Sequence, residues 1–392
     1  MLFRDIQSEL QRIAGEFPVV AVMGPRQSGK TTLVRHTFPQ KNYVNLEAPD
    51  TRALIFEDPR KFFNDNPQGM ILDEIQRAPE LLSYIQTIVD EQNQNGLFIL
   101  TGSQQPQLHA AVGQSLAGRI AMLDLLPFSL HELTQANILL SLDQYLLKGF
   151  YPRIYDQHLN PTTVYRNYIK TYVERDVRQL LNVKDLNAFQ RFMHLSAARV
   201  GNILNLESLS NDVGVSANTL KKWVSILEAS YLVCRLQPYF ENFGKRLIKS
   251  PKLYFTDVGL IAYLLGIENE KQMFHERLRG GLFENLVLIE LMKARYNIGK
   301  EASLFYYRDN HDMEIDIILP HGDYLIPIEI KSTSTFSPAL IKNLKFFQKL
   351  VGSKMPMGFL VYAGETTQAF GNIQMINYRE VYRIYQQLET WN

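Results

Sequence analysis

The sequence predicts an α/β protein: a parallel sheet flanked by helices at the N-terminal end, a helical middle, and a second α/β unit at the C-terminal end. Three observations predict it. GPRQSGKTT (residues 24–32) lies between an apolar run and a helix-like run. A second apolar run, within residues 69–82, ends in Asp73-Glu74. Near the C-terminus, two strand-like runs carry acids and a lysine inside apolar alternation.

The chain has 392 residues, too many for one ordinary domain. Its 46% hydrophobic content can build a buried core. Lys+Arg of 41 against Asp+Glu of 40 leaves the net charge near zero, so any basic surface must be local. Cys234 is the single cysteine, which excludes an intrachain disulfide and a cysteine-based zinc site. No apolar run reaches membrane-spanning length, and the charged N-terminal stretch is unlike a signal peptide. The expectation is a cytoplasmic protein with no membrane partner.

Residues 24–32 match G-x-x-x-x-G-K-[ST] through Gly24, Gly29, Lys30 and Thr31. The pattern also arises by chance, so its flanks decide. FPVVAVMG upstream reads as a buried strand, and KTTLVRHTF downstream as the start of a helix. Strand, glycine loop and helix turn backbone N–H groups toward phosphates. The predicted nucleotide contacts are Gly24, Pro25, Arg26, Gln27, Ser28, Gly29, Lys30, Thr31 and Thr32. Lys30 is expected to reach the β and γ phosphates, and Thr31 to hold Mg²⁺. The expected cofactors are therefore ATP and Mg²⁺.

GMILDEIQRAPELL (69–82) reads as a strand ending in two acids. Asp73 suits the Mg²⁺ shell, and Glu74 the group that orients or deprotonates the attacking water. A surface acidic pair explains this position poorly, because the pair caps an apolar strand. NGLFILTGSQQ (95–105) is a further buried strand, with Ser103 or Gln104 facing the γ-phosphate or the water. SLAGRIAMLDLLPFS (115–129) places Arg119 just before another strand. Arg119 reads either as an arginine finger reaching across a subunit boundary or as a solvated loop arginine.

GPRQSGKTTL, ILDEIQRAPELL, FILTGSQQ and SLAGRIAMLDLLPFS resemble the AAA+ ATPase domain of a large bacterial and archaeal family. That family joins its ATPase to a C-terminal domain of unknown function of the DUF4143 type. The resemblance implies a parallel sheet flanked by helices, ATP hydrolysis and a ring-like homo-oligomer, a hexamer being one such ring. One departure stands out. Where AAA+ proteins often carry Asn at the sensor position, this chain has Ser103 followed by Gln104.

LLPFSLHELTQ (125–135) leaves the ATPase core at Pro127, and LKGFYPRIYD (147–156) contains a Gly-aromatic-Pro turn. YRNYIKTYVERDVRQLL (165–181) predicts an amphipathic helix with Tyr165, Tyr168 and Tyr172 on one core-facing side. Glu174, Arg175 and Asp176 read as interdomain salt bridges.

Residues 187–257 predict a winged helix. NAFQRFMHLSAARVG, LNLESLSNDVGV and SANTLKKWVSILEASYLV are its helices, with Gly214 at a turn and Ser216 as an N-cap. LVCRLQPYF and KLYFTD form a hairpin around NFGKRLIKSP. Lys221 and Lys222 on the third helix are candidates for DNA phosphate. Lys245, Arg246, Lys249 and Lys252 add a basic patch on the wing. The other reading has the module pack between domains or bind protein.

RGGLFENLVLIELMK (279–293) predicts a helix bearing Glu284. YYRDNHDMEIDIILP (306–320) reads as a strand holding Asp316, and YLIPIEIKS (324–332) as the next, holding Glu329 and Lys331. Period-2 geometry puts Glu329 and Lys331 on one face, which is costly inside apolar alternation unless used. Asp316 and Glu329 are candidate Mg²⁺ ligands, with Glu284 completing the shell and Lys331 serving the attacking water and the transition-state charge. The set resembles the PD-(D/E)xK nuclease fold, with Glu329-Ile330-Lys331 as the E-x-K element. Phe283-Glu284-Asn285 and Glu314-Ile315-Asp316 match the AAA+ family named above at the same place. His311 beside Asp312 reads as a solvated loop histidine.

The expected units are an AAA+ P-loop domain over 1–135, a helical linker over 136–186, a winged helix over 187–270 and a nuclease-like α/β domain over 271–392. The leading reading is an oligomeric ATPase that binds and remodels or moves along DNA, branched junctions included, with a C-terminal domain that binds DNA and has the residues to cut it. One alternative is an ATP-dependent switch or scaffold whose nuclease fold only binds DNA or protein. Another is a protein-remodelling ATPase without a nucleic acid partner.

Overall fold

The computed structural model describes residues 2–103, 115–177, 185–240, 250–310 and 313–389, with backbone alone for 174–177. The first sheet has five strands: β1 (Val19–Met23), β2 (Asn42–Asn45), β3 (Met70–Asp73), β4 (Phe98–Gly102) and β5 (Ile120–Asp124). Their order is β2-β3-β4-β1-β5, and every pairing is parallel. The inner runs β1, β3 and β4 are apolar because both faces of the sheet are covered there, while the edge strands β2 and β5 are partly exposed. Val19, Ala21 and Met23 join one core, while Val20 and Val22 join a second with Ile6, Leu10 and Leu33. The in-register pairing aligns Met23 with Gly102 and Asp124, so β1, β4 and β5 end at one edge. Ligands of parallel α/β sheets sit beyond that edge.

The middle is helical, as expected, and its tyrosines are core. Tyr165, Tyr168 and Tyr172 are buried, and Tyr151 Oη donates to Tyr168 Oη at 2.9 Å. The expected continuous α-helix instead changes type: Pro161–Tyr168 is α-helical and Ile169–Val177 is a π-helix. Glu174, Arg175 and Asp176 have no described side chains.

Helices Leu186–Ala197, Leu206–Val213 and Ala217–Ala229 precede an antiparallel pair, β6 (Val233–Pro238) and β7 (Lys252–Phe255). Ser216 accepts from Thr219 N, and Gly214 takes the left-handed conformation (φ 82°) that ends the second helix. Lys245, Arg246 and Lys249 lie outside the described residues.

The second sheet continues with β8 (Phe305–Arg308), β9 (Glu314–His321), β10 (Tyr324–Lys331), β11 (Gly358–Tyr362), β12 (Gln368–Phe370) and β13 (Ile373–Asn377). Its order is β12-β13-β11-β10-β9-β8-β6-β7. The stretch 306–320, expected as one strand, is two, since β8 and β9 pair antiparallel. His311 and Asp312 between them lie outside the described residues. Helix Arg279–Tyr296 packs with Ile317, Ile328 and Phe359 on one face. Helix Lys342–Val351 packs with Ile315, Ile318 and Leu360 on the other. The sheet is mixed, and β6 runs parallel to β8, so hydrogen bonds cross the expected 270/271 boundary. No helix among the described residues is long and apolar enough to cross a membrane.

Candidate functional site

The phosphate loop leaves β1 at Gly24 and ends at Gly29, which caps helix Lys30–Thr37 with a left-handed φ of 94°. Gly24 lies so close to Leu125 that an added Cβ would meet its carbonyl oxygen at 2.1 Å. A side chain at Gly24 would therefore push the loop off the sheet. Lys30 Nζ donates to the carbonyls of Gly24 and Pro25 at 3.1 and 2.8 Å. Burial pulls its ammonium down to about 8, against the opposing fields of Glu74 and Asp73. Ser28 Oγ is buried without a hydrogen-bond partner among the described residues. A phosphate group fits these donors, because the loop presents backbone N–H groups, an ammonium and a free hydroxyl. Arg26 lies over the Tyr172 ring at 5.2 Å, so the π-helical segment leans on the loop. Pro25, Gln27 and Thr32 complete the stretch, with Gln27 at φ 65°.

Asp73 and Glu74 occupy different environments at the end of β3. Thr31 Oγ1 donates to Asp73 Oδ1 at 2.9 Å, Tyr43 Oη to Oδ2 at 2.7 Å, and Thr101 Oγ1 also donates to Oδ1. Thr31 and Asp73 are thus paired as an Mg²⁺ shell requires, with hard oxygen donors. Glu74 has φ 59°, a left-handed conformation unusual for a side-chain-bearing residue. Gln76 Nε2 donates both to Glu74 Oε2 and, at 3.0 Å, to Ser103 Oγ. Gln76 Oε1 is buried without a partner among the described residues. Tyr43, Thr101 and Gln76 were not singled out from the sequence. Gln76 lies two residues beyond Glu74 and Thr101 two before Ser103, which was the available signal. Gln104 lies outside the described residues.

Arg119 is not brought to this site. It precedes β5 at the opposite end of the sheet, where its carbonyl accepts from Val19 N at 3.2 Å. Five to six strand residues separate that end from Gly24, roughly 16–20 Å. Its guanidinium pairs with Asp90, Nη2 to Oδ2 at 2.9 Å. Within one chain, Arg119 therefore lies too far from the loop to touch a γ-phosphate bound there.

A buried polar chain ties the loop to the C-terminal half. Arg4 donates to Ser28 O at 2.8 Å, to Leu126 O at 2.7 Å and to Glu132 Oε1 at 2.9 Å. Lys293 Nζ reaches Phe128 O at 2.7 Å and Glu290 Oε1 at 2.8 Å, and Glu290 Oε2 accepts from Leu130 N at 2.7 Å.

In the C-terminal half, β9 and β10 bring Asp316, Glu329 and Lys331 together. Lys331 Nζ lies 2.8 Å from Glu329 Oε1 and 3.4 Å from Asp316 Oδ2. Ile330 N donates to Asp316 Oδ2 at 2.7 Å, and Asn343 Nδ2 to Glu329 Oε1 at 3.3 Å. Glu329 Oε2 is buried without a partner among the described residues. Burial, followed by the Asp316 charge, holds the Glu329 carboxyl above the usual carboxylate range.

Glu284 stands beside this set: burial and then the Asp316 charge push its carboxyl up to about 7. It accepts from Tyr254 Oη and from Lys252 Nζ, the latter at 3.0 Å. Lys252, expected on an exposed basic patch, is 2% exposed and also lies 2.6 Å from Glu314. Burial opposes its charge, but Glu284, Glu314 and Asp316 outweigh it and shift the ammonium upward. No group of three or more His, Cys, Asp or Glu among the described residues is arranged to hold a metal ion. Asp316 and Glu329 suit a divalent cation, and Glu284, paired with Lys252, lies within reach of the Asp316 charge.

Three family comparisons cover the chain. Residues 16–134 match the AAA domain family, residues 139–271 a domain of unknown function (DUF8612), and residues 279–381 a domain of unknown function (DUF4143). An uncharacterized protein of Mycobacterium tuberculosis is 28% identical over 365 residues, 92% of this chain and 80% of that protein. One from Haemophilus influenzae is 24% identical over 349 residues, 80% of this chain and 82% of its own. Among solved structures, the Walker-type ATPase of Pyrococcus abyssi is similar at 15% identity and TM-score 0.47, over 66% of this chain and 94% of that one. AMPPCP-bound DnaA from Aquifex aeolicus is similar at 14% identity and TM-score 0.29, over 57% and 85%. The chain thus joins a match to the AAA domain with a match to the C-terminal DUF4143 domain, the combination that its motifs resemble.

Proposed function

We propose that the protein hydrolyses ATP at the phosphate loop and uses the turnover to remodel or move DNA. The observation that carries the reading is the split between Asp73, fixed by Thr31, Tyr43 and Thr101, and Glu74, held by Gln76 beside Ser103. One carboxylate is thereby assigned to the cation shell and the other to the attacking water. Bound Mg²⁺ would supply charge neutralisation on the β and γ phosphates. Lys30 and the loop N–H groups hold those phosphates, Thr31 and Asp73 hold the ion, and Ser103 with Gln76 orients Glu74.

DNA is the proposed partner because Lys221 and Lys222 are exposed on helix Ala217–Ala229, the third helix before the β6–β7 pair. We take 1–135, 136–186, 187–270 and 271–392 as working units, with ring-like assembly of the first. Asp316, Glu329 and Lys331 are the proposed cation and phosphodiester site. A second reading, in which that site binds without cutting, is favoured by the capture of Glu284 by Lys252.

The test is Mg²⁺-dependent ATPase activity with linear, single-stranded and branched DNA at about 50 and 200 mM salt. Wild type should turn over ATP, with stimulation by DNA that falls at the higher salt. Lys30→Ala should be inactive while remaining folded, and normal turnover in it would remove the phosphate loop from the reaction. DNA cleavage lost in Asp316→Ala and Lys331→Ala would make the C-terminal unit a nuclease. Intact DNA with stimulated turnover would make it a clamp.

A further inference from the structure

We propose that Arg4 is a positioning residue of the phosphate loop: it holds the Ser28–Gly29 peptide with the carbonyl turned inward and the N–H turned toward the nucleotide. The inference rests on the reading of residues 24–32 as an ATP site.

Arg4 precedes helix Gln7–Ala14, outside the loop motif and ahead of residues 16–134, which match the AAA domain. It is nevertheless only 4% exposed. A buried guanidinium is costly unless its donors are used. Here each nitrogen has a different acceptor: Nη1 the Ser28 carbonyl, Nη2 the Leu126 carbonyl and Nε the Glu132 carboxylate. The guanidinium also lies over the Phe128 ring at 5.0 Å. A planar fork with fixed acceptors on all its nitrogens has one place to sit.

That place is fixed from both sides. Ile6 and Leu10, just after Arg4, are buried with Val20, Val22 and Leu33. Asp5 N donates to Glu132 Oε1 at 2.9 Å, and Asp5 Oδ2 lies 2.9 Å from His131 Nδ1. Glu132 Oε2 accepts from Ser129 N at 2.8 Å, which closes a capping box. Lys293 and Glu290 hold Phe128 O and Leu130 N from the far side. The anchor of Arg4 is therefore rigid before any nucleotide arrives.

The consequence falls on one peptide plane. In a trans peptide the C=O and N–H point in opposite directions. Arg4 draws the Ser28 carbonyl toward the interior, so the Gly29 N–H faces the other way, out of the loop. Gly29 lacks a Cβ and sits at φ 94°, so this peptide could turn over with little steric resistance. Turned over, it would aim a carbonyl dipole at the phosphates in place of a donor. Arg4 selects the orientation that an anion needs.

The double change Arg4→Met/Glu132→Gln tests this, because it removes the cation without stranding a carboxylate, and Gln can keep the capping box. Calorimetry with a non-hydrolysable ATP analogue and Mg²⁺ gives the affinity, and steady-state turnover gives kcat and KM. The double variant should bind the analogue at least about tenfold more weakly, the size expected for one bond from a charged donor. KM should rise in parallel, while kcat at saturating ATP stays within about threefold of wild type. Arg4→Lys keeps the charge but not the fork, and its affinity should fall between the two. If the double variant does not fold, Arg4→Lys decides, with an expected loss of at least about threefold. Unchanged affinity in a folded variant with a lower melting temperature would make Arg4 a fold element only and overturn the proposal. A fall in kcat at unchanged affinity would overturn it too, because the group would then act on the chemical step. No binding of the analogue by wild type would overturn the reading of the loop itself.

Discussion

In the proposed reaction, Gln76 is the side chain on which the geometry of the attacking water depends. Its amide spans Glu74 and Ser103, and its own oxygen has no hydrogen-bond partner among the described residues. Gln76→Ala should lower kcat about 10–100-fold and leave ATP affinity within about threefold, because its hydrogen bonds go to Glu74 and Ser103. Single-turnover kinetics separate the two effects. Glu74→Gln should bind ATP and hydrolyse it at least ~100-fold more slowly. Lys30 gives a proton signature. With its ammonium pulled down to about 8, the group is mostly neutral at pH 9 and mostly charged at pH 7. Phosphates beside it favour the charged form, so ATP binding at pH 9 should take up protons, and less so at pH 7. Calorimetry in buffers of different ionisation enthalpy measures it. The sequence placed Lys30, Asp73 and Glu74 because short motifs encode them. Gln76 lay inside the same motif, but its partner Ser103 is on another strand, and no local pattern encodes that meeting.

At the scale of elements, helix Arg279–Tyr296 joins two sites. Glu290 and Lys293 fasten it to the 126–132 segment, and Glu284 meets the C-terminal carboxylates. Lys293→Met would strand Glu290 in a dry interior, at a cost of about 3–5 kcal/mol. The double change Lys293→Met/Glu290→Leu should cost less than the single one. Urea midpoints of the two variants check the order. Strands β1, β3 and β4 were legible as apolar runs because a parallel sheet covered on both faces leaves little else to write. The break between β8 and β9 was not, since apolar alternation resumes after Met313 with the same period. The π-helix was equally hidden: α and π turns place Tyr168 and Tyr172 on nearly the same side.

For the molecule as a whole, Arg119 reports on assembly. Mixed Arg119→Ala and Lys30→Ala subunits should turn over more ATP than either alone, since a ring would bring a neighbour's Arg119 to an intact loop. Steady-state turnover across mixing ratios reads this, and a mixture no better than its parts would leave Arg119 as the surface partner of Asp90. Lys252 shows the limit of reading unit by unit. Its position in a Lys-rich stretch suggested a solvent-facing wing, and only the fold reveals that acids from a later segment surround it.

That later segment and the helices before it share one sheet. The β6–β8 pairing makes the two a single piece of architecture, although separate sequence families describe them. A chain divided between residues 270 and 271 would leave β8 with a bare hydrogen-bonding edge, prone to pair with other chains. Recombination could exchange the AAA domain for another domain more readily than it could part these two units, which are best inherited together.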